Sequence, residues 1–360
     1  MEKIITDTLN HCDFIRTIIL SDGVTEIGEN AFRDCSNLET IVIPKTITKI
    51  GPGAFSWSGL KSITLPGGRL TEIGESAFYE CRNLENIVIP DSVIKINPGA
   101  FSWSGLKSIT LPNGLIEIGE HAFNGCSILE NVVIPETVTK IGSYTFANSG
   151  LKSIILPQGL TEIGEGAFND CKKIETVIIP KTVTKIDTKV FAFSGLKSIT
   201  LPHGLTEIGE GTFYKCRNLE IVIIPETVTK INPWTFARSG LKFIILPDGR
   251  LTEIGKSAFY NCQNLETVII PDSVTKIGPS AFEDSGLKSI TLLDGRLTEI
   301  WEYAFYECRN LENIVIPDSV IIIGPCAFAD SGLKSITLPH GVEIGKGIFN
   351  NCCNLVVDTS

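Results

Sequence analysis

A phenylalanine returns every 22 or 23 residues through almost the whole chain. It stands at 32, 55, 78, 101, 123, 146, 168, 191, 213, 236, 259, 282, 305, 328 and, after 21, at 349. Leu9 fills the same column one period earlier. No other feature restricts the fold so strongly. A segment of this length cannot enclose a core of its own, so each unit must bury its apolar face against its neighbours. A chain of 360 residues would otherwise suggest two or three compact domains. The period predicts instead one domain over 1–360, made of sixteen units of 21–23 residues.

Two unit types alternate. Residues 71–90 read T-E-I-G-E-S-A-F-Y-E-C-R-N-L-E-N-I-V-I-P, and residues 184–202 read T-K-I-D-T-K-V-F-A-F-S-G-L-K-S-I-T-L-P. The second type is one residue shorter across its S-G-L corner, where a glycine with positive φ would give a tighter bend. In L-x-x-I-x-I-P the alternating apolar positions predict a short strand with one buried face, ended by a proline that cannot donate to a ladder. The T-x-I-G segment predicts a second short strand or an extended bend. The intervening x-x-A-F-x-x-C is too brief for an α-helix, so a 3₁₀ turn is expected there. The Ile, Phe and Leu columns would then stack into one continuous core, the unit being one coil of a repeat solenoid.

The motif L-x-x-I-x-L-P-x-x-L-T-x-I-G-x-x-A-F-x-x-C resembles the BspA-like (Treponema-type) leucine-rich repeat, over essentially the whole chain. This chain departs from the pattern by placing Ser-Gly where Cys is expected in every second unit. The resemblance implies a right-handed, curved leucine-rich repeat solenoid with a parallel β-sheet on its concave face and short 3₁₀ turns or irregular structure on the convex side. It further implies a surface or secreted protein that binds host proteins, matrix or other cells.

Two charge columns run through the repeats. The one before the first Ile reads Lys3, Glu26, Lys49, Glu72, Lys95, Glu117, Lys140, Glu162, Lys185, Glu207, Lys230, Glu253, Lys276, Glu299. The one after the strand's leading Leu or Ile reads Arg16, Glu39, Lys61, Glu85, Lys107, Glu130, Lys152, Glu175, Lys197, Glu220, Lys242, Glu266, Lys288, Glu312, Lys334. Like charges side by side would destabilise a stack of identical coils. Strict alternation is expected to make each column a chain of opposite-sign neighbours and to oppose a slip by one coil. The first column fails at Ile322.

Catalytic and cofactor chemistry find little support. Cysteines 12, 35, 81, 126, 171, 216, 262, 308 and 352 form one column, and most sit two coils apart. That is about 9–10 Å from the spacing of strands, beyond the reach of a disulfide or of ligands converging on zinc. Buried thiols are expected, with Cys12 and Cys35, in adjacent coils, the one pair placed to bridge; the vicinal Cys352-Cys353 could also oxidise. His11, His121, His203 and His340 are scattered along the chain, and Trp301 is expected to fill a gap where T-E-I-G loses its glycine. No phosphate-binding loop, nucleophile elbow or metal-binding His pair occurs. The reading is therefore no enzyme, no cofactor and no metal. A net charge of −10 disfavours nucleic acid and anionic membranes, and no apolar run is long enough to span a bilayer. The first residues, Met-Glu-Lys-Ile-Ile-Thr-Asp, lack the basic-then-apolar order of a secretory signal, which predicts a cytosolic chain or a fragment.

What remains is binding. The outward strand column holds Val42, Val88, Val133, Ile178, Ile223, Ile269 and Val315 in one unit type, and mostly Thr, with Ile155 and Ile245, in the other. Its neighbour is mostly Thr, Asn and Ser, interrupted by Ile221 and Phe243. Ile178, Thr200, Ile221, Ile223, Phe243 and Ile245 are thus expected to face a protein partner, a host or matrix protein on the family reading. A second candidate surface follows the Phe by two residues: Trp57, Trp103 and Phe193. The alternative to an adhesion module is a spacer or scaffold that self-associates head to tail through open solenoid ends.

Overall fold

The computed structural model describes residues 3–5 and 12–359; Leu9, His11 and the side chain of Lys3 lie outside them. It contains short parallel strands joined by turns, and no helix among the described residues. Two compact units, Met1–Thr182 and Val183–Ser360, divide the chain.

Within each unit every coil carries two strands. The T-x-I-G segment forms a two-residue strand such as Lys140–Ile141, paired in parallel with Glu162–Ile163 so that Lys140 faces Glu162 and Ile141 faces Ile163. The second strand is usually three residues long. Asn131–Val133 pairs with Ser108–Thr110 on one side and Ser153–Ile155 on the other. In unit 2 the same pairing joins Ile221–Ile223 to Phe243–Ile245, and Asn313–Val315 to Ser335–Leu338. The middle residue of each points inward and its neighbours outward, as the period-2 geometry of a strand requires. A one-residue slip would turn every buried Ile to solvent, which fixes the register.

The Phe column is the centre of the core. In unit 1 successive rings from Phe32 to Phe168 stand 5.2–5.7 Å apart and within 15° of parallel. In unit 2 those from Phe191 to Phe328 stand 5.0–5.9 Å apart. Each ring is wholly buried. A spacing slightly wider than the strand repeat is the offset-stacked geometry that aromatic quadrupoles favour.

The segment around the Phe differs from the expected 3₁₀ turn. The residues two before and two after each Phe have positive φ: Asn30 and Asp34 around Phe32, Ser76 and Glu80 around Phe78, Trp234 and Arg238 around Phe236. This alternation lets the backbone bond in two directions. Arg33 N–H donates to Asn30 O within the coil, while the N–H groups of Asn30, Phe32 and Asp34 donate to Pro52, Ala54 and Ser56 in the next. Left-handed φ costs an L-residue roughly 1–2 kcal/mol, and β-branched residues suffer most. Neither column contains a Val, Ile or Thr.

The S-G-L glycine also has a different reason from the expected one. Gly59, Gly105 and Gly240 are not among the positive-φ residues. A Cβ on any of them would lie 2.0 Å from the preceding coil's carbonyl oxygen, that of Ser36, Arg82 or Arg217. Close approach of two backbones, not a special φ, demands glycine here.

Serine in the Cys column follows from the same stacking. Cys81, Cys126, Cys216 and Cys262 are wholly buried. Each thiol donates to a Phe carbonyl in the preceding coil and lies 3.3–3.5 Å from that coil's serine, as Cys81 does with Phe55 O and Ser58 Oγ. Burial pushes these thiols up to about 11–12, so they stay protonated and inert. Where the first two units both carry Cys, the column closes instead into the disulfide Cys12–Cys35, with Cα atoms 4.7 Å apart.

Candidate interaction surfaces

Three surfaces emerge from this frame: the charge columns, the outward strand face and the corner around the Phe. The charge columns set opposite signs side by side, as expected, with Glu253 between Lys230 and Lys276, and their side chains close into pairs. In one, the Lys reaches back to the Glu of the preceding coil: Lys61–Glu39 at 2.9 Å, Lys107–Glu85 at 2.8 Å, Lys152–Glu130 at 2.8 Å, Lys242–Glu220 at 2.9 Å and Lys288–Glu266 at 2.7 Å. In the other, Lys mostly reaches forward, as in Lys95–Glu117 at 3.2 Å, Lys140–Glu162 at 2.7 Å and Lys230–Glu253 at 2.7 Å. An ammonium on a flexible stem closes on one carboxylate and leaves the opposite neighbour at a distance. Lys61, by hydrogen bond and charge, holds the Glu39 carboxyl below the usual range, with Arg16 adding to it; Lys152 does the same to Glu130, helped by Lys173. These exposed pairs set register more than they add stability.

At the failure of the first column, Ile322 lies between Glu299 and Glu343 in the ladder. Glu299 is nevertheless served twice, by Lys276 at 3.1 Å and by the indole N–H of Trp301 at 3.0 Å. Trp301 is 43% exposed. Its ring therefore sits partly at the surface beside the charge column.

The strand face places the expected residues outward. In unit 1 Ile178 is 71% exposed at the end of strand Thr176–Ile178. In unit 2 Thr200 is exposed on Ser198–Thr200. The structure brings four of the named residues together: Ile221 lies opposite Phe243 and Ile223 opposite Ile245, all in one parallel register. Each is more than half exposed. Their column neighbours elsewhere are polar in at least one position, for example Ser62 and Thr64, or Asn86 and Val88.

Trp57, Trp103 and Phe193 do not join that face. They occupy the left-handed position after the Phe, are 41–45% exposed, and lean on the following coil. Trp57 meets Tyr79 edge-on at 5.7 Å, and Phe193 meets Tyr214 at 5.3 Å. Trp103 lies on the backbone of Gly125, where a Cβ would come within 2.4 Å of the indole. His121 stacks on Tyr144 at 5.2 Å and contacts Asn124 at 3.1 Å, an exposed rim contact.

Sequence reasoning missed the rest of the corner in unit 2. Tyr214, Trp234 and Tyr260 continue edge-to-face from Phe193 at 6.4 and 5.8 Å. Lys215 Nζ sits 4.8 Å from the Phe193 centroid and 5.2 Å from that of Tyr214, and the Arg238 guanidinium 5.4 Å from that of Tyr260. The signal was legible as Tyr214, Tyr260, Lys215 and Arg238 in columns one and two after the Phe, and Trp234 two before it.

Comparison with known proteins agrees with this architecture. The sequence pattern described as the BspA type leucine rich repeat region (6 copies) matches residues 2–130, 117–242 and 229–356. The crystal structure of a leucine-rich repeat protein from Bacteroides ovatus ATCC 8483 superposes with a TM-score of 0.76 at 30% identity, covering 94% of this chain and 85% of that one. A leucine rich cell surface protein from Faecalibacterium prausnitzii A2-165 gives a TM-score of 0.51 at 24% identity, with 92% and 87% covered. A leucine-rich repeat protein from Eubacterium ventriosum ATCC 27560 gives 0.50 at 24%, with 89% and 84% covered. No curated protein matches the chain.

Proposed function

This chain belongs to the BspA-type leucine-rich repeat family, and on that premise we propose that it is a non-enzymatic module that binds a protein partner at a cell surface. The observation that carries the reading is the quartet Ile221, Ile223, Phe243 and Ile245, held side by side on two paired strands and exposed. Burying such a patch against a partner removes apolar area from water at about 25 cal/mol per Å², and the rigid strand backbone adds little ordering cost on binding. Ile178 and Thr200 supply outward positions of the same kind in their own units.

Surface location is supported by the Faecalibacterium relative, described as a cell surface protein, and by the Cys12–Cys35 disulfide, a bond that persists in oxidising surroundings. No helix among the described residues is long and apolar enough to cross a membrane. Host and matrix proteins are the partners to try first, on the family reading.

The test is a pull-down from host and matrix extracts with the native chain and with the Phe243→Ala/Ile223→Ser variant. A partner retained by the first and weakened by the second is expected; equal recovery would move the site off this face. Sedimentation of the same samples separates this reading from a self-assembling scaffold, which would grow with concentration.

A further inference from the structure

The corner segments, running from three residues before each Phe to four after it, are acidic or neutral over most of the chain. In Glu75–Arg82, Glu165–Lys172 and Glu302–Arg309 the left-handed residue after the Phe is acidic, and a basic residue two further on pairs with it. The contacts are Glu80–Arg82 at 2.5 Å, Asp170–Lys172 at 3.2 Å and Glu307–Arg309 at 2.9 Å. Four consecutive coils of unit 2 reverse this. Segments 188–195, 210–217, 233–240 and 256–263 together carry Lys189, Lys215, Arg217, Arg238 and Lys256 against one carboxylate, Glu210. Lys215 stands where Glu80 and Glu307 stand, so Arg217 meets a like charge where its counterparts meet a partner.

Two of these cations are seated on rings. Lys215 lies over Phe193 and Tyr214, and Arg238 over Tyr260. Cation–π contact holds an ammonium or guanidinium in place without neutralising it. The rings themselves, Phe193, Tyr214, Trp234 and Tyr260, are linked edge to face and only partly buried. The coils are tied at this corner by Phe193 N–H to Tyr214 O at 2.7 Å, Lys215 N–H to Ala237 O at 2.9 Å and Arg238 N–H to Tyr260 O at 2.7 Å. The surface is therefore preorganised, with Lys215 and Arg238 in the same column of adjacent coils, at a backbone spacing of about 4.8 Å.

We propose that this corner face docks an acidic protein segment, its carboxylates taken by Lys215, Arg217 and Arg238 and its hydrocarbon laid on Tyr214, Trp234 and Tyr260. Tyr, Trp and Arg are the residues that dominate protein-binding hot spots, and carboxylates complement both the fork of arginine and the sign of the patch. A densely charged polymer fits less well: the patch spans four coils, and the chain around it carries −10 overall. The strand-face reading above is independent of this one, because none of its residues lies in these segments.

The experiment uses the full chain and a fluorescein-labelled peptide of alternating Glu and Ser, with oligogalacturonate and oligothymidylate as competing probes. Lys215→Glu is well tolerated by the fold, since Glu80 and Glu307 hold the same position with the same φ near 57° and 55°. It also hands Arg217 the partner its counterparts have. Arg238→Asp copies Asp284 and Asp330 in the same way. The native chain should bind the peptide, and the two changes together should weaken it by about tenfold or more, as should Trp234→Ala. Phe243→Ala/Ile223→Ser should leave it unchanged. Absence of peptide binding, indifference to Lys215→Glu/Arg238→Asp, or tighter binding of the uronate or the oligonucleotide would overturn the proposal.

Discussion

The strands Ser62–Thr64, Asn86–Val88 and Ser108–Thr110 of unit 1 share one backbone plan with Ile221–Ile223 and Phe243–Ile245 of unit 2. Both regions pair in parallel, bury the middle residue and expose its neighbours. The buried middle stays Ile or Val while the outward side chains change class: Ser, Thr, Asn and Val in the first, Ile and Phe in the second. The stack thus tolerates change on its outward columns without altering the frame beneath. What holds a coil in place and what it offers to a partner reside in different columns, so recognition is best sought where an outward column departs from its neighbours.

That separation can be attacked from the core outward. Phe101→Ala in unit 1 and Phe236→Ala in unit 2 remove equivalent wholly buried rings, and each should cost about 3–5 kcal/mol in chemical denaturation. Unequal losses would show that the frames are not equivalent. At the strand face, Phe243→Ala/Ile223→Ser should weaken a captured partner by about tenfold or more while leaving the melting temperature nearly unchanged. Loss of stability in step with loss of binding would break the division of labour. The reciprocal graft, Ser108→Ile and Thr110→Ile beside Asn131→Phe and Val133→Ile, should confer weaker but measurable binding of the same partner on a chain whose own quartet has been removed. Failure of the graft would mean that residues flanking the quartet take part.

The smallest effect belongs to the charge columns. Reversing Lys107 and Lys152 to Glu should lower the melting temperature slightly, and more at low than at high ionic strength; reversing Lys242 and Lys288 should do the same in unit 2. The pH dependence has a definite sign. Glu39 and Glu130 have carboxyls lowered from 4.5 in the folded chain by their lysines. Their contribution is complete above the unfolded value and is lost as the pH falls through the lowered one. Acid titration of thermal stability should therefore show a loss beginning below about pH 4.5, and a smaller one when Lys61 and Lys152 are replaced by Met.

Much of this was readable from spacing alone. The Phe interval implied stacked coils, alternation in L-x-x-I-x-I-P implied the half-buried strand, and the Cys column at double spacing implied buried thiols, with Cys12 and Cys35 as the exception. The exposed quartet followed from the same alternation. The charge columns were legible in sign but not in partner, because whether Lys107 turns to Glu85 or Glu130 depends on side-chain reach in three dimensions.

Local pattern determined the period, the strands, the buried columns and the outward residues of this chain, since each follows from side-chain periodicity within one unit. Tertiary structure alone decided the left-handed residues around each Phe, the glycine at Gly105 set by the Arg82 carbonyl, and the seating of Lys215 and Arg238 on neighbouring rings. Each of these is a contact between coils about 22 residues apart, a distance along the chain at which sequence gives the neighbour's identity but not the direction in which backbone and side chain turn to meet it.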